Sequence, residues 1–159
     1  DKKMSQENRK ELIVSAIKNG TVIDHIPSDK VFKVVRILNL ETAKQQILFG
    51  INLDSKKYGK KGIIKVQDKY FEMDEINKIA LVAPTATIII IRNFEVVEKY
   101  QVTIPQSITG ITKCFNPKCI TNFEPVTTKF DVITDENNDV NLVCHYCEKI
   151  TKKEHIQFL

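Results

Sequence analysis

The four cysteines of this 159-residue chain all lie in its last third, and they constrain its fold more than any other feature. They form two close pairs, Cys114-x4-Cys119 and Cys144-x2-Cys147, with 24 residues between the pairs. Each pair fits on a tight turn and offers two thiolates to one edge of a tetrahedron, so two such turns close a four-coordinate site. Because no position stays open for water, the spacing predicts a structural zinc ion rather than a catalytic one.

Disulfides are one alternative for these pairs, and four unconnected buried cysteines are another. The chain starts with a polar segment instead of the apolar stretch of a secretory signal, and apolar runs such as Ile88–Ile91 are far shorter than the ~20 residues of a membrane helix. We therefore expect a soluble, cytoplasmic protein without a membrane partner, in a compartment that keeps thiols reduced. His145 lies between the last two cysteines and could compete as a ligand, but we expect it to point outward.

Charge and proline content divide the chain in two. Residues up to Ile104 include 18 basic and 13 acidic side chains, whereas the remainder has 6 basic and 7 acidic ones and three of the five prolines. We predict one domain over residues 1–105 and another over residues 106–159. The second buries too little surface to be stable without a cross-link, which the metal would provide. Four thiolates and one Zn²⁺ would bring it to about −3, a charge that favours contact with protein over nucleic acid.

The first part predicts an α+β fold. Asn19-Gly20 indicates a hairpin over Leu12–Ile26, although a helix over Leu12–Lys18 is the alternative. Further on we expect a helix capped by Ser28 and a second helix that opens at Met73 and ends before Pro84. The remaining strands are predicted at Gln46–Leu53, Ile63–Val66, Thr87–Ile91 and Phe94–Val102. This order is that of a ferredoxin-like sheet with two helices, and the cysteine region predicts a small all-β, zinc-ribbon-like domain.

A run of lysines in the first part has two readings. Lys56, Lys57, Lys60, Lys61 and Lys65 could form a solvated loop or attract polyphosphate or nucleic acid. The sequence has no P-loop and no Gly-x-Gly-x-x-Gly motif. Asp24 and His25 are neighbours in a strand and should point to opposite faces, so we expect no acid–base pair there and read His25, taken alone, as structural. No catalytic residue is predicted, and the chain is not expected to be an enzyme.

Several segments together make the chain recognisable. Gly20-Thr21-Val22-Ile23-Asp24-His25-Ile26-Pro27 resembles the signature of the aspartate carbamoyltransferase regulatory chain. The likeness continues through Gly50-Ile51-Asn52-Leu53, Ile63-Ile64-Lys65, Leu81–Thr87, Asn93–Val97, Cys114-Phe115-Asn116-Pro117-Lys118-Cys119 and Cys144-His145-Tyr146-Cys147-Glu148-Lys149. It covers the chain from about Leu12 to its last residue.

This resemblance implies a non-catalytic, allosteric subunit in pyrimidine biosynthesis. Its first domain would bind ATP, CTP and UTP, and its second would carry zinc and dock on the catalytic chain. The regulatory chains would pair as homodimers. A basic zinc-ribbon protein that binds nucleic acid is the rival hypothesis, but Tyr58 is the only aromatic residue inside the lysine run.

The resemblance also implies site residues. Base and ribose would lie against Val14, Ala16, Ile17 and Val22, while Ile91, Phe94 and Val96 complete the pocket. Asp24 would contact ribose hydroxyls, His25 and Lys65 would contact the sugar-phosphate region, and Lys99 would bind phosphate. Asn116 and Glu148 match positions that face the catalytic chain. The chain departs from the family pattern at Ser15, Ile89, Phe94 and Lys118, and the first two bear on effector preference.

Overall fold

The computed structural model describes residues 17–159. The chain divides into two compact units, Asp1–Val102 and Thr103–Leu159. No helix in the described part is long and apolar enough to cross a membrane. Within residues 17–102, the first unit has five strands and two α-helices: β1 (Gly20–Ile26), α1 (Val31–Ile37), β2 (Ile47–Ser55), β3 (Gly59–Gln67), α2 (Met73–Val82), β4 (Thr87–Arg92) and β5 (Glu95–Gln101).

The five strands form one antiparallel sheet in the order β2-β3-β1-β4-β5. The first four have the order of a ferredoxin-like fold, and β5 adds a fifth strand through a tight turn at Asn93-Phe94. Both turn residues have positive φ, 51° and 66°, as a type I′ hairpin requires. The predicted fold class is therefore confirmed for this unit.

One face of the sheet packs against the helices. Ile23 of β1 pairs with Ile64 of β3 and Ile88 of β4, and all three side chains are fully buried. Helix α1 buries Val31 and approaches β3 closely at Gly62, where an added Cβ would lie 2.0 Å from Val31 Cγ2. The missing side chain at this position thus lets α1 lie directly on the sheet.

Three local predictions need comment. The first strand of the predicted N-terminal hairpin lies outside the described residues. The prediction that Ser28 caps a helix was wrong, because a 3₁₀ turn begins there, α1 starts at Val31, and Ser28 Oγ accepts the Asn52 N–H instead. Strand β3 begins at Gly59, four residues before the predicted start, so Lys60 and Lys61 belong to a strand and not to a loop.

The second unit is all-β apart from short 3₁₀ turns. Its strands are β6 (Ser107–Thr109), β7 (Thr112–Lys113), β8 (Lys129–Thr134), β9 (Val140–Cys144), β10 (Ile150–Thr151) and β11 (Gln157–Phe158). They form a four-stranded sheet in the order β10-β9-β8-β6 and a β11-β7 pair. Phe130 and Leu142 fill the small core. This arrangement confirms the predicted small β domain built around the cysteines.

Candidate functional site

The sheet face opposite the helices carries a single row of side chains across all five strands. Directly paired residues share a face, and the pairing runs from Leu48 through Lys65, Val22 and Ile89 to Lys99. Two lysines thus flank a buried apolar centre. The row gathers three predicted site residues from three strands that are distant in sequence.

Asp24 lies on the same face because it follows Val22 by two residues in β1, and its carboxylate is almost fully buried. Asp24 Oδ1 lies 2.7 Å from Lys61 Nζ and accepts the His25 N–H at 2.6 Å. The other oxygen, Oδ2, makes a longer contact, with His25. Sequence reasoning did not single out Lys61, although it lies two and four residues before Ile63 and Lys65 and so shares their face of β3.

His25, the next-to-last residue of β1, lies at a β-bulge with φ 57°, which turns its ring back towards Asp24. Its Nε2 lies 4.0 Å from Asp24 Oδ2, and its Nδ1 is 2.9 Å from Thr87 Oγ1. The expectation that these two side chains point to opposite faces was wrong, because the bulge breaks the strict alternation of the strand.

The face is electropositive. Lys61, Lys65 and Lys99 outnumber the one carboxylate of Asp24. Burial is the main cause that holds the pKa of Lys65 below its usual range, and Asp24 opposes that effect. Burial also lowers the pKa of His25 despite the neighbouring Asp24, and nearby lysines add to the effect. Both groups would gain charge stabilisation from an anion placed between them.

The end of this sheet face that lies near the β4–β5 turn is apolar. Ile17 is buried in a cluster with Val22, Ile89 and Ile91. The β4–β5 turn closes over this end because the Phe94 N–H donates to the Lys18 carbonyl. Phe94 and Val96 are exposed, and Val96 pairs with Ile91 of the cluster. The remaining predicted residues of this pocket, Val14 and Ala16, lie outside the described residues, as does Ser15.

An open cleft of about 840 Å³ adjoins His25 and Lys61. Tyr58 and Lys60, at the tip of the β2–β3 hairpin, line it together with Asn52. The ring centroid of Tyr58 lies 5.8 Å from that of His25. Nothing in the sequence pattern places the hairpin tip near His25, since the two are more than thirty residues apart.

In the second unit the four cysteines come together. Their sulfur atoms all lie within 4.8 Å of one another, and the pairs Cys114–Cys147 and Cys119–Cys144 are 3.7 Å apart. Four ligands at about 2.3 Å from a tetrahedral zinc ion would be about 3.8 Å from one another. All four thiols are free, and His145 is exposed and does not belong to the cluster.

The electrostatics of the cluster suit a cation. Burial raises the pKa of Cys114 and Cys144, so these thiols resist ionisation without a positive charge nearby. For Cys147 burial acts in the same direction, but hydrogen bonds, from the Lys149 N–H above all and also from the Asn116 side chain, outweigh it and lower the pKa to about 7. Four closely spaced sulfurs are the donor set of a structural metal site, in which four protein ligands complete the tetrahedron.

Both residues predicted to face the catalytic chain lie beside this cluster. Asn116 is half-buried, and its Oδ1 accepts the Lys118 N–H. Glu148 is exposed and follows Cys147 with φ 63°, a left-handed conformation that is unfavourable for a residue with a Cβ.

The fold and the two sites define a two-domain protein in which a ferredoxin-like domain with a cationic face precedes a four-cysteine metal-binding domain. Comparison with protein families assigns each of the two domains to a known domain family. Residues 12–103 match the allosteric domain of the aspartate carbamoyltransferase regulatory chain, and residues 106–157 match its metal-binding domain. The chain belongs to this family.

Individual relatives agree over nearly the whole length. The chain is 57% identical to the aspartate carbamoyltransferase regulatory chain of Bacteroides thetaiotaomicron, covering 96% of this chain and 99% of the relative. Identity is 55% to that of Phocaeicola vulgatus, over 99% of each chain, and 55% to that of Pyrococcus horikoshii, over 92% of this chain and 96% of the relative. The predicted family is confirmed, and the chain is a regulatory, non-catalytic subunit.

Proposed function

We propose that this chain binds ATP, CTP and UTP on the cationic sheet face and thereby modulates aspartate carbamoyltransferase catalytic chains in pyrimidine biosynthesis. The observation that carries the proposal is the row Leu48-Lys65-Val22-Ile89-Lys99, which places an apolar surface between two lysines. A base needs apolar walls, and a polyphosphate needs fixed positive charge.

Each end of the face fits one part of a nucleotide. The apolar cluster of Ile17, Val22 and Ile91 would hold the base, with Phe94 and Val96 at its border. Oδ2 of Asp24 would accept from ribose hydroxyls. Phosphates would meet Lys65, Lys99 and His25, and Lys61, which already holds Asp24 Oδ1, lies within the same charged region. Val14 and Ala16 would add to the base contacts.

Effector preference would depend on two departures from the family pattern. Ile89 is buried in the middle of the row, so it offers no hydrogen bond where an amide would. Ser15 would remove an acidic group beside the base. We expect both to shift the balance between ATP and CTP, since recognition of different bases depends on the hydrogen bonds offered at their edges.

For the second domain we propose one structural Zn²⁺ held by Cys114, Cys119, Cys144 and Cys147. The ion would fix the shape of a surface, including Asn116 and Glu148, that docks on the catalytic chain. Because metal binding energy is folding energy in so small a domain, removal of zinc should unfold it and release the catalytic chains. A reducing cytoplasm would keep these thiols available for the metal.

We also propose that two copies of the chain pair through the β2 edge of the sheet. Residues Ile47–Leu53 of this edge strand carry no charge, and Leu48, Phe49 and Ile51 are exposed by 51%, 51% and 39%. Uncharged, apolar edge strands favour pairing with another strand. At the other edge, β5 carries Glu95, Glu98 and Lys99, which oppose such pairing.

Reconstitution with aspartate carbamoyltransferase catalytic trimers tests the proposal. We expect ATP, CTP and UTP to shift the aspartate saturation curve of the assembled enzyme. Lys99→Ala should lose most nucleotide binding while zinc is retained, whereas Lys44→Ala, a matched change at an exposed lysine off this face, should bind as the parent does. An assembled enzyme that responds to no nucleotide would disprove the effector role.

A further inference from the structure

The two cysteine turns are held in different ways. The Cys144-x2-Cys147 turn is stabilised by its own backbone, since the Cys147 N–H points to Cys144 Sγ and the Glu148 N–H donates to the Cys144 carbonyl. The Cys114-x4-Cys119 turn is two residues longer, and its own hydrogen bonds, from the Cys119 N–H to the Asn116 carbonyl and from the Lys118 N–H to Asn116 Oδ1, hold its second half. A longer turn has more backbone freedom to lose, so it needs additional support to present both sulfurs in a fixed position.

That support comes from Asn122. Its Nδ2 donates to the Cys114 carbonyl at 3.2 Å and to the Asn116 carbonyl at 2.8 Å. Carbonyl oxygens only accept hydrogen bonds, so the amide nitrogen must face them and both of its hydrogens are used. One half-buried side chain therefore ties the first ligand of the turn to its middle.

The Asn116 carbonyl that Asn122 holds also accepts the Cys119 N–H at 3.0 Å, so the same contact reaches the second ligand of the turn. In addition, Thr121, next to Asn122 in the chain, donates its hydroxyl to Cys119 Sγ at 3.2 Å. Asn122 is thus connected, directly or through one residue, with both ligands of this turn.

We infer that Asn122 is a positioning residue of the metal centre, which sets the geometry of the Cys114-x4-Cys119 turn. The inference rests on the proposed zinc site and adds to it a residue that touches no metal. Residues that orient metal ligands in this way typically change metal affinity about 10- to 100-fold when replaced.

Asn122→Asp is the sharpest test because the two side chains have the same shape, while the carboxylate has no hydrogen to donate and repels both carbonyls. On the zinc-loaded full chain we expect release of zinc to a chromogenic chelator to become about tenfold faster or more. Asn137→Asp is the matched control: it adds the same charge to an exposed asparagine of the β8–β9 turn and should leave the rate unchanged.

A local readout separates positioning from general loss of stability. During release, a thiol-alkylating reagent followed by mass analysis should label Cys114 and Cys119 ahead of Cys144 and Cys147 in Asn122→Asp. Leu142→Ala, which weakens the small core away from the turn, should label all four together. Co²⁺-loaded Asn122→Asp should also show shifted d–d and thiolate-to-cobalt bands, whereas Leu142→Ala should keep the parent spectrum.

Release at the parental rate, or labelling of all four cysteines together in Asn122→Asp, would overturn the inference. Failure of the zinc proposal is distinguishable, because purified parent chain would then contain less than one equivalent of zinc. The cobalt comparison would still test Asn122 in that case, since any tetrahedral thiolate site requires the same turn.

Discussion

Replacing Asp24 by asparagine should destabilise the first domain strongly, because the carboxylate neutralises lysines that are themselves poorly hydrated. Asp24 and Lys61 have side-chain exposures of 7% and 20%, with Oδ1 and Nζ 2.7 Å apart. At that distance two unit charges attract by about 6 kcal/mol with an effective dielectric constant of about 20, before the cost of desolvation. Removing one partner of a buried pair typically costs about 3–5 kcal/mol, and the partial exposure of Lys61 favours the lower value.

We therefore expect Asp24→Asn to lower the free energy of unfolding of the first domain by about 3 kcal/mol. The measurement is urea denaturation of the zinc-loaded full chain, followed by far-ultraviolet circular dichroism at neutral pH. Asp29→Asn provides the matched control, since it makes the same change at an exposed aspartate and should stay within about 0.5 kcal/mol of the parent.

A double variant tests the cause. With Lys61→Met added, the uncompensated lysine disappears, so the double variant should be more stable than Asp24→Asn alone by at least about 1 kcal/mol. Purely additive effects, or an Asp24→Asn variant as stable as Asp29→Asn, would refute the reasoning that charge compensation at this face supports the fold.

Three further predictions concern other elements. Burial holds the pKa of His25 below 6.5, so the unfolded chain binds more protons than the folded one. The free energy of unfolding should therefore fall as the pH is lowered from about 7 to about 5. In His25→Gln, urea titrations over this pH range should lack that part of the fall, and an unchanged pH dependence would contradict the prediction. Gly62→Ala should cost about 1–3 kcal/mol, because its Cβ would lie 2.0 Å from Val31 Cγ2 where ordinary contact starts at 3.4 Å. Adding Val31→Ala should recover part of this loss in thermal unfolding. Glu148→Gly should keep the stability of the metal domain or raise it by up to about 1 kcal/mol, because a φ of 63° suits glycine. The same variant should bind catalytic trimers more weakly in a pull-down titration, if Glu148 contacts them.

Sequence alone could predict the features that depend on local pattern. The Asn19-Gly20 pair predicts a turn followed by a strand that runs to Ile26, and the resemblance to the regulatory chains then names Val22 and Asp24 of that strand as site residues. Cysteine spacing likewise predicts the metal cluster, because two short turns can supply four sulfurs in only a few arrangements.

What sequence could not predict depends on contacts between distant segments. The ion pair between Lys61 and Asp24 joins β3 to β1, and nothing in a run of lysines tells which of them turns towards a carboxylate. The bulge at His25 is set by its pairing with β3 and by Thr87 of β4, so the rule of alternation failed there. Asn122 follows no motif at all; its role depends on where two carbonyls of a folded turn happen to point.

Strand β1 lies in the middle of the sheet and serves both faces, with Ile23 in the core and Val22 and Asp24 on the side that would meet the effector. A single-residue insertion or deletion in this strand would exchange the two sets, burying a carboxylate under the helices and exposing isoleucine. A change in the length of β1 during evolution would therefore impair both folding and effector binding. The tip of the β2–β3 hairpin is under no such restriction, because Lys56 and Lys57 are exposed there. Variation among related chains should accordingly collect at this tip, next to the cleft, where it can alter ligand contacts without disturbing the core.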